Sequence, residues 1–528
     1  ATADGLADQL RAEYGASVSK LFWREQALPI YDLALRLSVS AGDFDNAFYF
    51  LEKSRSVLLL EAFLQADADM NLPADLREAL AKYSQRLRQS QRALAATKKE
   101  EEKKELRTTI LTLRDTLKQV RSMATAIYPQ LAGLVTSPPV IDLNEAQAQL
   151  KTGGWDRQLT YFMGGDTARV LVLSPTDASL HSLGPTREIE RTVRKLLSFF
   201  SSADAINQDP TSFLNASKAT YEALLGTLPF AAGERLLILP DGLLSYLPFG
   251  ALVQEATGGD VASANYLLRS NPVSYAASAT VLQRQSQSST LNQSTEALAF
   301  CPFTKKLAGK SVAALPFSVA EVAALESLYP TLTQDQRQAS RLALLEAVND
   351  KKIVHLSTHA YATAEGKEQP RILTATEPVY LPDIYGLQLD SKLVTLSACQ
   401  SNIGPLAKGE GVLSLGRAFT SAGAQGVVAS LWSLNDRATA DITSSFYQKL
   451  AKGHPKPLAL HEAQLAYLDR EDLPAYLKSP YYWAGLTYYG DAGTLTADSF
   501  LPWWTWLLTI VGLFGLLFFL RGRRPASR

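Results

Sequence analysis

A chain of 528 residues exceeds what one hydrophobic core holds and predicts roughly two to four structural units. Hydrophobic residues at 46% and charged residues at 20% exclude a disordered chain, and 52 Lys+Arg against 52 Asp+Glu excludes nucleic-acid binding by bulk charge. Two cysteines, Cys301 and Cys399, are too few for a disulfide framework, so each is read as a free thiol.

In chain order, residues 1–67 read as helices in the manner of a tetratricopeptide pair. Leu33, Leu35 and Leu37, then Ala47 to Leu51, flank a turn at Gly42 and Asp43. The concave face of such helices would bind a regulatory protein partner. Residues 68–135 are highly charged, with apolar seams at helical spacing on either side of KKEEEKKE: Leu76, Leu80, Tyr83, Leu87, then Ile110, Leu113, Leu117, Val120. They predict an antiparallel helical hairpin with a solvated turn.

From about residue 136 short apolar runs alternate with helix-forming segments: RVLVLS (169–174), RLLILP (235–240), KIVHLST (352–358), KLVTLSA (392–398) and GVVASLW (426–432). Such runs predict an α/β unit with a mostly parallel sheet covered on both faces. The polar stretch SQSSTLNQSTE, 286–296, divides it into halves at 136–285 and 286–490.

Residues 491–499 predict a linker and 500–520 a single transmembrane helix. No charge interrupts Phe500 to Leu520, and about 1.5 Å of rise per residue spans roughly 30 Å of hydrocarbon. Trp503, Trp504 and Trp506 would lie at one interface, and the tail 521–528 supplies Arg521, Arg523, Arg524 and Arg528 beyond the other. A cytoplasmic basic tail puts the bulk outside the cytoplasm, in the periplasm. The opening ATADGLADQLRAEYG carries no export signal, so this topology expects a longer parent protein; the alternative is a tail-anchored chain with its bulk in the cytoplasm.

Two of the parallel runs end on chemistry. In an open sheet ligands collect at the carboxyl ends of strands, where one run delivers His359 and the next Cys399. Neighbouring strands would let the imidazole take the thiol proton, so that the thiolate attacks a carbonyl. Backbone N–H groups at Cys399 and Ala360 would form an oxyanion hole. The plainer alternatives are a packed cysteine and a hydrogen-bonded loop histidine. His355 shares parity with Ser357 and His359, and reads as a satisfied core histidine or as an orienting group. A zinc site from His355, His359 and Cys399 lacks a fourth ligand, so neither metal nor cofactor is expected. Cys301, in AFCPF, reads as packing.

The segments HLSTHA, LSACQS, KGEGVLSLGRAFTSAGAQGVVASLWSLNDRATADITSSFYQKL and SPYYWAGLTYYGD resemble the CHAT family of caspase-like peptidases, and ERLLILPDGLLSYLPFGALV and NPVSYAASATVLQ resemble its preceding half. The likeness covers about 140–490. It implies a caspase–haemoglobinase-like fold with a pseudo-protease half before the active one, His359 as general base and Cys399 as nucleophile. By the same resemblance the stretch holding Asp436 would line the pocket for the residue before the cut. There Asp436 would pair with a basic side chain, unless it serves as the N-cap of the helix RATADITSSFYQKL. Glu410, in the loop GPLAKGEG, is a further candidate substrate contact. The chain departs from the family in having Ala360 where glycine is common after the histidine, which puts positive φ in question there.

The expectation is a membrane-anchored cysteine endopeptidase, acting on protein substrates and activated by a partner on its N-terminal helices. Two rivals are an inert membrane scaffold and an acyl transferase with a non-peptide substrate.

Overall fold

The computed structural model describes residue 5 and residues 17–70, 72–97, 99–127, 138–255, 260–287, 296–364 and 369–495. Three helices open this part: α1 (Ser17–Ser40), α2 (Phe44–Lys53) and α3 (Val57–Met70). Gly42, at φ +67°, makes the turn between the first two, and the Asp43 carboxylate caps α2 by accepting from the N–H of Asn46. Helices α4 (Ala74–Ala96) and α5 (Glu100–Ile127) form the expected hairpin, its seam closed by Leu72, Leu80, Leu117 and Ala124 with Leu76, Tyr83, Leu87 and Val120 packed against them. The charge run lies at the turn, where Lys99–Glu102 and Lys103–Glu100 are solvent-facing pairs that stabilise little.

Eleven strands build one sheet: β1 (Arg157–Met163), β2 (Thr167–Leu173), β3 (Ala178–Pro185), β4 (Leu236–Leu239), β5 (Val273–Tyr275), β6 (Ala297–Cys301), β7 (Thr331–Asp335), β8 (Ile353–Ser357), β9 (Leu393–Ser397), β10 (Gly426–Ser430) and β11 (Leu486–Gly490). Their order is β3-β2-β1-β4-β5-β11-β10-β9-β8-β6-β7. β1, β4, β5 and β11 run parallel to one another, as do β10, β9, β8, β6 and β7; the two blocks meet antiparallel at β10 and β11. The last strand of the described chain thus completes the first block. Strands β8, β9 and β10 are buried along their whole length, which is why they read as unbroken apolar runs rather than alternating ones.

The N-terminal helices are tied to the sheet by buried charged side chains. Arg55, after α2, donates to the carbonyls of Leu239 (3.3 Å) and Tyr161 (2.6 Å). Glu52 accepts from the N–H groups of Ala279 and Thr280, at 3.1 and 2.9 Å.

One expectation is corrected. No helix among the described residues is long and apolar enough to cross a membrane. Residues 500–520, on which the span was placed, lie outside the described residues, as do the end of the linker and all of the tail. The transmembrane element of the fold, and the membrane localisation drawn from it, are withdrawn. An apolar run measures only local composition, and the localisation had no other support.

His461, in the helix Lys456–Leu468, gives the fold an acid limit. It is 8% exposed, and burial pushes its imidazole down to about 4, with Glu462 opposing. Between about pH 6.5 and 4 the unfolded chain binds this proton and the folded chain does not. Stability therefore rises with pH across that window and is lost as pH falls. Over it the wild type should lose roughly 3 kcal/mol more than a His461→Leu variant. Denaturant titrations at the two pH values test this; equal losses would remove His461 as the cause.

Candidate active site

β8 and β9 are neighbours and parallel, and their last paired residues are Ser357 and Ser397. His359 and Cys399 each lie two residues beyond that rung, on adjacent tips of one sheet edge. The ladder continues one step past it, with the Thr358 N–H donating to the Ser397 carbonyl at 3.3 Å. Both side chains are partly exposed, unlike the strands that carry them.

The His359 ring is held from both sides. Nε2 is 2.8 Å from the carbonyl of Ala313, and Phe303 packs on the ring with centroids 5.3 Å apart. A carbonyl only accepts, so Nε2 carries the proton and Nδ1 is left as the basic nitrogen. Ala313 belongs to the loop before helix α6 (Ser318–Glu326). No motif announces a backbone carbonyl in this role, and sequence reasoning missed it.

Cys399 is followed by Gln400 at φ +56°, a left-handed conformation uncommon for a non-glycine residue. The turn is clamped to the end of β10. The Gln400 N–H donates to the Trp432 carbonyl at 3.2 Å, the Ser401 N–H to Ser430 Oγ at 3.1 Å, and Ser430 Oγ to the Ala398 carbonyl at 2.5 Å. Among the described residues the non-glycine positions with positive φ are Ser56, Gln336 and Gln400. Ala360 keeps ordinary extended backbone, paired with Ile372, and the strain falls beside the thiol instead of the imidazole. An aromatic wall flanks Cys399: Tyr481 stacks on Trp432 at 6.0 Å, and its hydroxyl donates to the Ser433 carbonyl. Burial raises the Tyr481 phenol, and the neighbouring Cys399 adds to the effect.

Asp436 opens helix α7 (Asp436–Ala451), but the cap is Asn435, which accepts from the Ala438 N–H at 3.0 Å. Freed from capping, Asp436 Oδ2 accepts from the Phe317 N–H at 3.1 Å. Burial pushes its carboxyl up; Glu321 adds to this, while the Phe317 N–H and His359 oppose it. The structure thus brings Asp436 into the electrostatic neighbourhood of His359.

Glu410 is committed elsewhere. Its side chain is fully buried, one oxygen 2.6 Å from Arg417 Nη2 and the other accepting from the Leu58 N–H at 3.0 Å. The loop it belongs to is fastened to the N-terminal helices, with the Ser56 N–H donating to the Gly409 carbonyl at 2.8 Å and Lys408 paired with Glu25. Gly404 lets this loop close, since a Cβ there would meet the Leu413 carbonyl at 2.2 Å. The loop borders a cleft shared with Arg55, Asp241 and Tyr489. Cys301 is 2% exposed, its thiol pushed up to about 12 by burial and then by Asp335, Glu321 and Glu326.

His355 is fully buried between Glu321, 3.1 Å from its Nε2, and the Tyr447 hydroxyl, 2.9 Å from its Nδ1.

Comparison with known proteins places these observations. Tetratricopeptide repeat protein 28 of Homo sapiens is 34% identical over 119 residues, 22% of this chain, and its Mus musculus counterpart is 33% identical over the same length. The chain spans only 5% of the length of these relatives. Among solved structures, the pro- and mature domains of Porphyromonas gingivalis RgpB are similar at TM-score 0.33 and 13% identity, covering 59% of this chain and 77% of that one. The Saccharomyces cerevisiae separase–securin complex is similar at TM-score 0.33 and 10% identity, covering 79% of this chain and 27% of that one. The family model of the CHAT domain matches residues 215–491, just over half of the chain and the whole of both strand tips. This protein therefore belongs to the CHAT domain family.

Proposed function

We propose that the protein is a cysteine endopeptidase working through His359 and Cys399. The observation that carries the reading is the shared rung Ser357–Ser397, from which each residue stands two positions on. In the proposed reaction His359 Nδ1 takes the proton from Cys399 Sγ, and the thiolate adds to the scissile carbonyl carbon. The tetrahedral intermediate collapses as the imidazolium gives that proton to the departing amine, leaving a thioester. Water, deprotonated by His359, then attacks the thioester and releases the second product and the thiol. The Ala313 carbonyl on Nε2 supports this assignment, because it orients the ring and stabilises the imidazolium. The oxyanion donors are assigned to the amides of Cys399 and Ala360, since those of Gln400 and Ser401 already donate elsewhere.

Asp436 is assigned the side chain before the cut. A half-buried carboxylate near the imidazole favours Lys or Arg there. Regulation by a protein docking on the N-terminal helices is supported by the contacts of Ser56 and Leu58 with Gly409 and Glu410, in the loop that follows the nucleophile.

A fluorogenic peptide library read with wild type and Cys399→Ala tests the reading. Turnover confined to the wild type, with Lys or Arg enriched before the cut, is expected. Turnover that survives Cys399→Ala would end it, and turnover with no basic preference would end the role of Asp436.

A further inference from the structure

We propose that Glu321 is a positioning residue for the dyad: one buried carboxylate that bridges the two strand tips and sets His359 against Cys399. This inference rests on the endopeptidase reading and deepens it. Glu321 lies in the first turn of α6 and is 1% exposed. Its Oε1 accepts from Ser397 Oγ at 3.0 Å and from Ser357 Oγ at 3.4 Å. Those serines are the register partners that end β9 and β8. A single oxygen atom therefore ties together the last rung before the chain departs toward the thiol on one side and the imidazole on the other. Ser357 Oγ also lies 2.7 Å from Ser318 Oγ, a hydroxyl–hydroxyl hydrogen bond that fixes the start of α6 to the same rung.

The second oxygen, Oε2, faces His355 Nε2 at 3.1 Å, off the hydrogen-bond axis. A carboxylate opposite Nε2 selects the tautomer with its proton there, leaving Nδ1 to accept from the Tyr447 hydroxyl, which burial keeps protonated. His355 and Tyr447 thus brace the carboxylate from β8 and α7. An isolated buried carboxylate is strongly disfavoured unless donors converge on it. Here the serine hydroxyls donate to Oε1, and the His355 ring lies beside Oε2 without a hydrogen bond.

The same short segment does more than hold the rung. Ala313, whose carbonyl accepts the hydrogen bond from His359 Nε2, and Phe317, whose N–H holds Asp436, lead directly into α6. Glu321 is the point at which that segment is fastened to the sheet. Loosening it moves the imidazole and the thiol tip together but removes no substrate contact. The expected signature is therefore a fall in kcat with KM little changed, since small misplacements of reacting groups cost rate steeply.

The test uses the full chain with Glu321→Gln, Ser397→Ala and Ser397→Thr, near-ultraviolet circular dichroism confirming each fold. Glu321→Gln and Ser397→Ala should each lower kcat about ten- to a hundredfold with KM within about twofold, and the two should be non-additive; Ser397→Thr, which keeps the hydroxyl, should restore most of the loss. A second readout needs no turnover. The rate at which iodoacetamide alkylates Cys399 at pH 7, followed by mass spectrometry, should fall at least about threefold in Glu321→Gln and in Ser397→Ala. If Glu321→Gln fails to fold, Ser397→Ala and Ser397→Thr decide alone. Active wild type with folded variants at wild-type kcat would overturn the proposal and leave the endopeptidase standing. Wild type that cleaves no peptide would overturn the endopeptidase, and alkylation rates equal to wild type would then overturn the positioning role as well.

Discussion

Replacing His359 with alanine should lower kcat on a cleaved peptide by about 10³- to 10⁴-fold, with KM changed little. In the proposed reaction the imidazole takes the thiol proton before attack, returns it to the departing amine and then deprotonates water, and among the described residues no second base stands ready. The neighbouring histidine, His355, is fully buried against Glu321 and Tyr447 and cannot substitute. The nearest carboxylate implicated, Asp436, is already engaged by the Phe317 N–H. Residues that act as a unit lose activity together, so the double variant with Cys399→Ala should be scarcely worse than Cys399→Ala alone. Progress curves on the best library peptide measure both. A His359→Ala protein within tenfold of wild type would mean that the ring does not perform the proton transfer.

The second large effect is on stability. Arg417→Leu should destabilise the fold by about 3–5 kcal/mol, because removing one partner of a buried pair strands the other charge. The Glu410 side chain is 0% exposed and Arg417 10%, with 2.6 Å between them. After the change the carboxylate still accepts from the Leu58 N–H but has lost its guanidinium. Converting both residues, as Arg417→Leu with Glu410→Met, should recover most of the loss, since an apolar pair of similar volume carries no desolvation penalty. Urea denaturation midpoints of the three proteins decide it. A loss below about 1 kcal/mol for Arg417→Leu would show that water reaches the pair. The consequence reaches the site, because Arg417 fixes Glu410, and the Leu58–Glu410 and Ser56–Gly409 bonds hold the loop that follows Cys399 against the N-terminal helices.

Periodicity alone determined much of this protein. The helical hairpin was legible because Leu76, Leu80 and Leu117 recur at helical spacing, and a helix can bury a stripe only in that way. Strands β8 to β10 were legible because a parallel strand buried on both faces must be apolar throughout. His359 and Cys399 stood out for the same reason, as polar chemistry where apolar runs stop. The apolar run at 500–520 shows the limit of that evidence: composition proposed a membrane span, and no described helix supplies one.

Only the tertiary structure decided the rest, since local pattern does not say which distant segments meet. It paired β8 with β9 in the register Ser357–Ser397 and sent β11 back to complete the first block of the sheet. It gave the helix cap to Asn435 and engaged Asp436 with the Phe317 N–H, while sinking Glu410 beside Arg417. It also brought the Ala313 carbonyl and the Glu321 carboxylate, about forty residues before His359 in the chain, to the strand tips. A backbone carbonyl carries no residue identity, and a lone glutamate in an apolar helix carries no motif. Their roles arise from where the crossover returns the chain, which long-range packing sets.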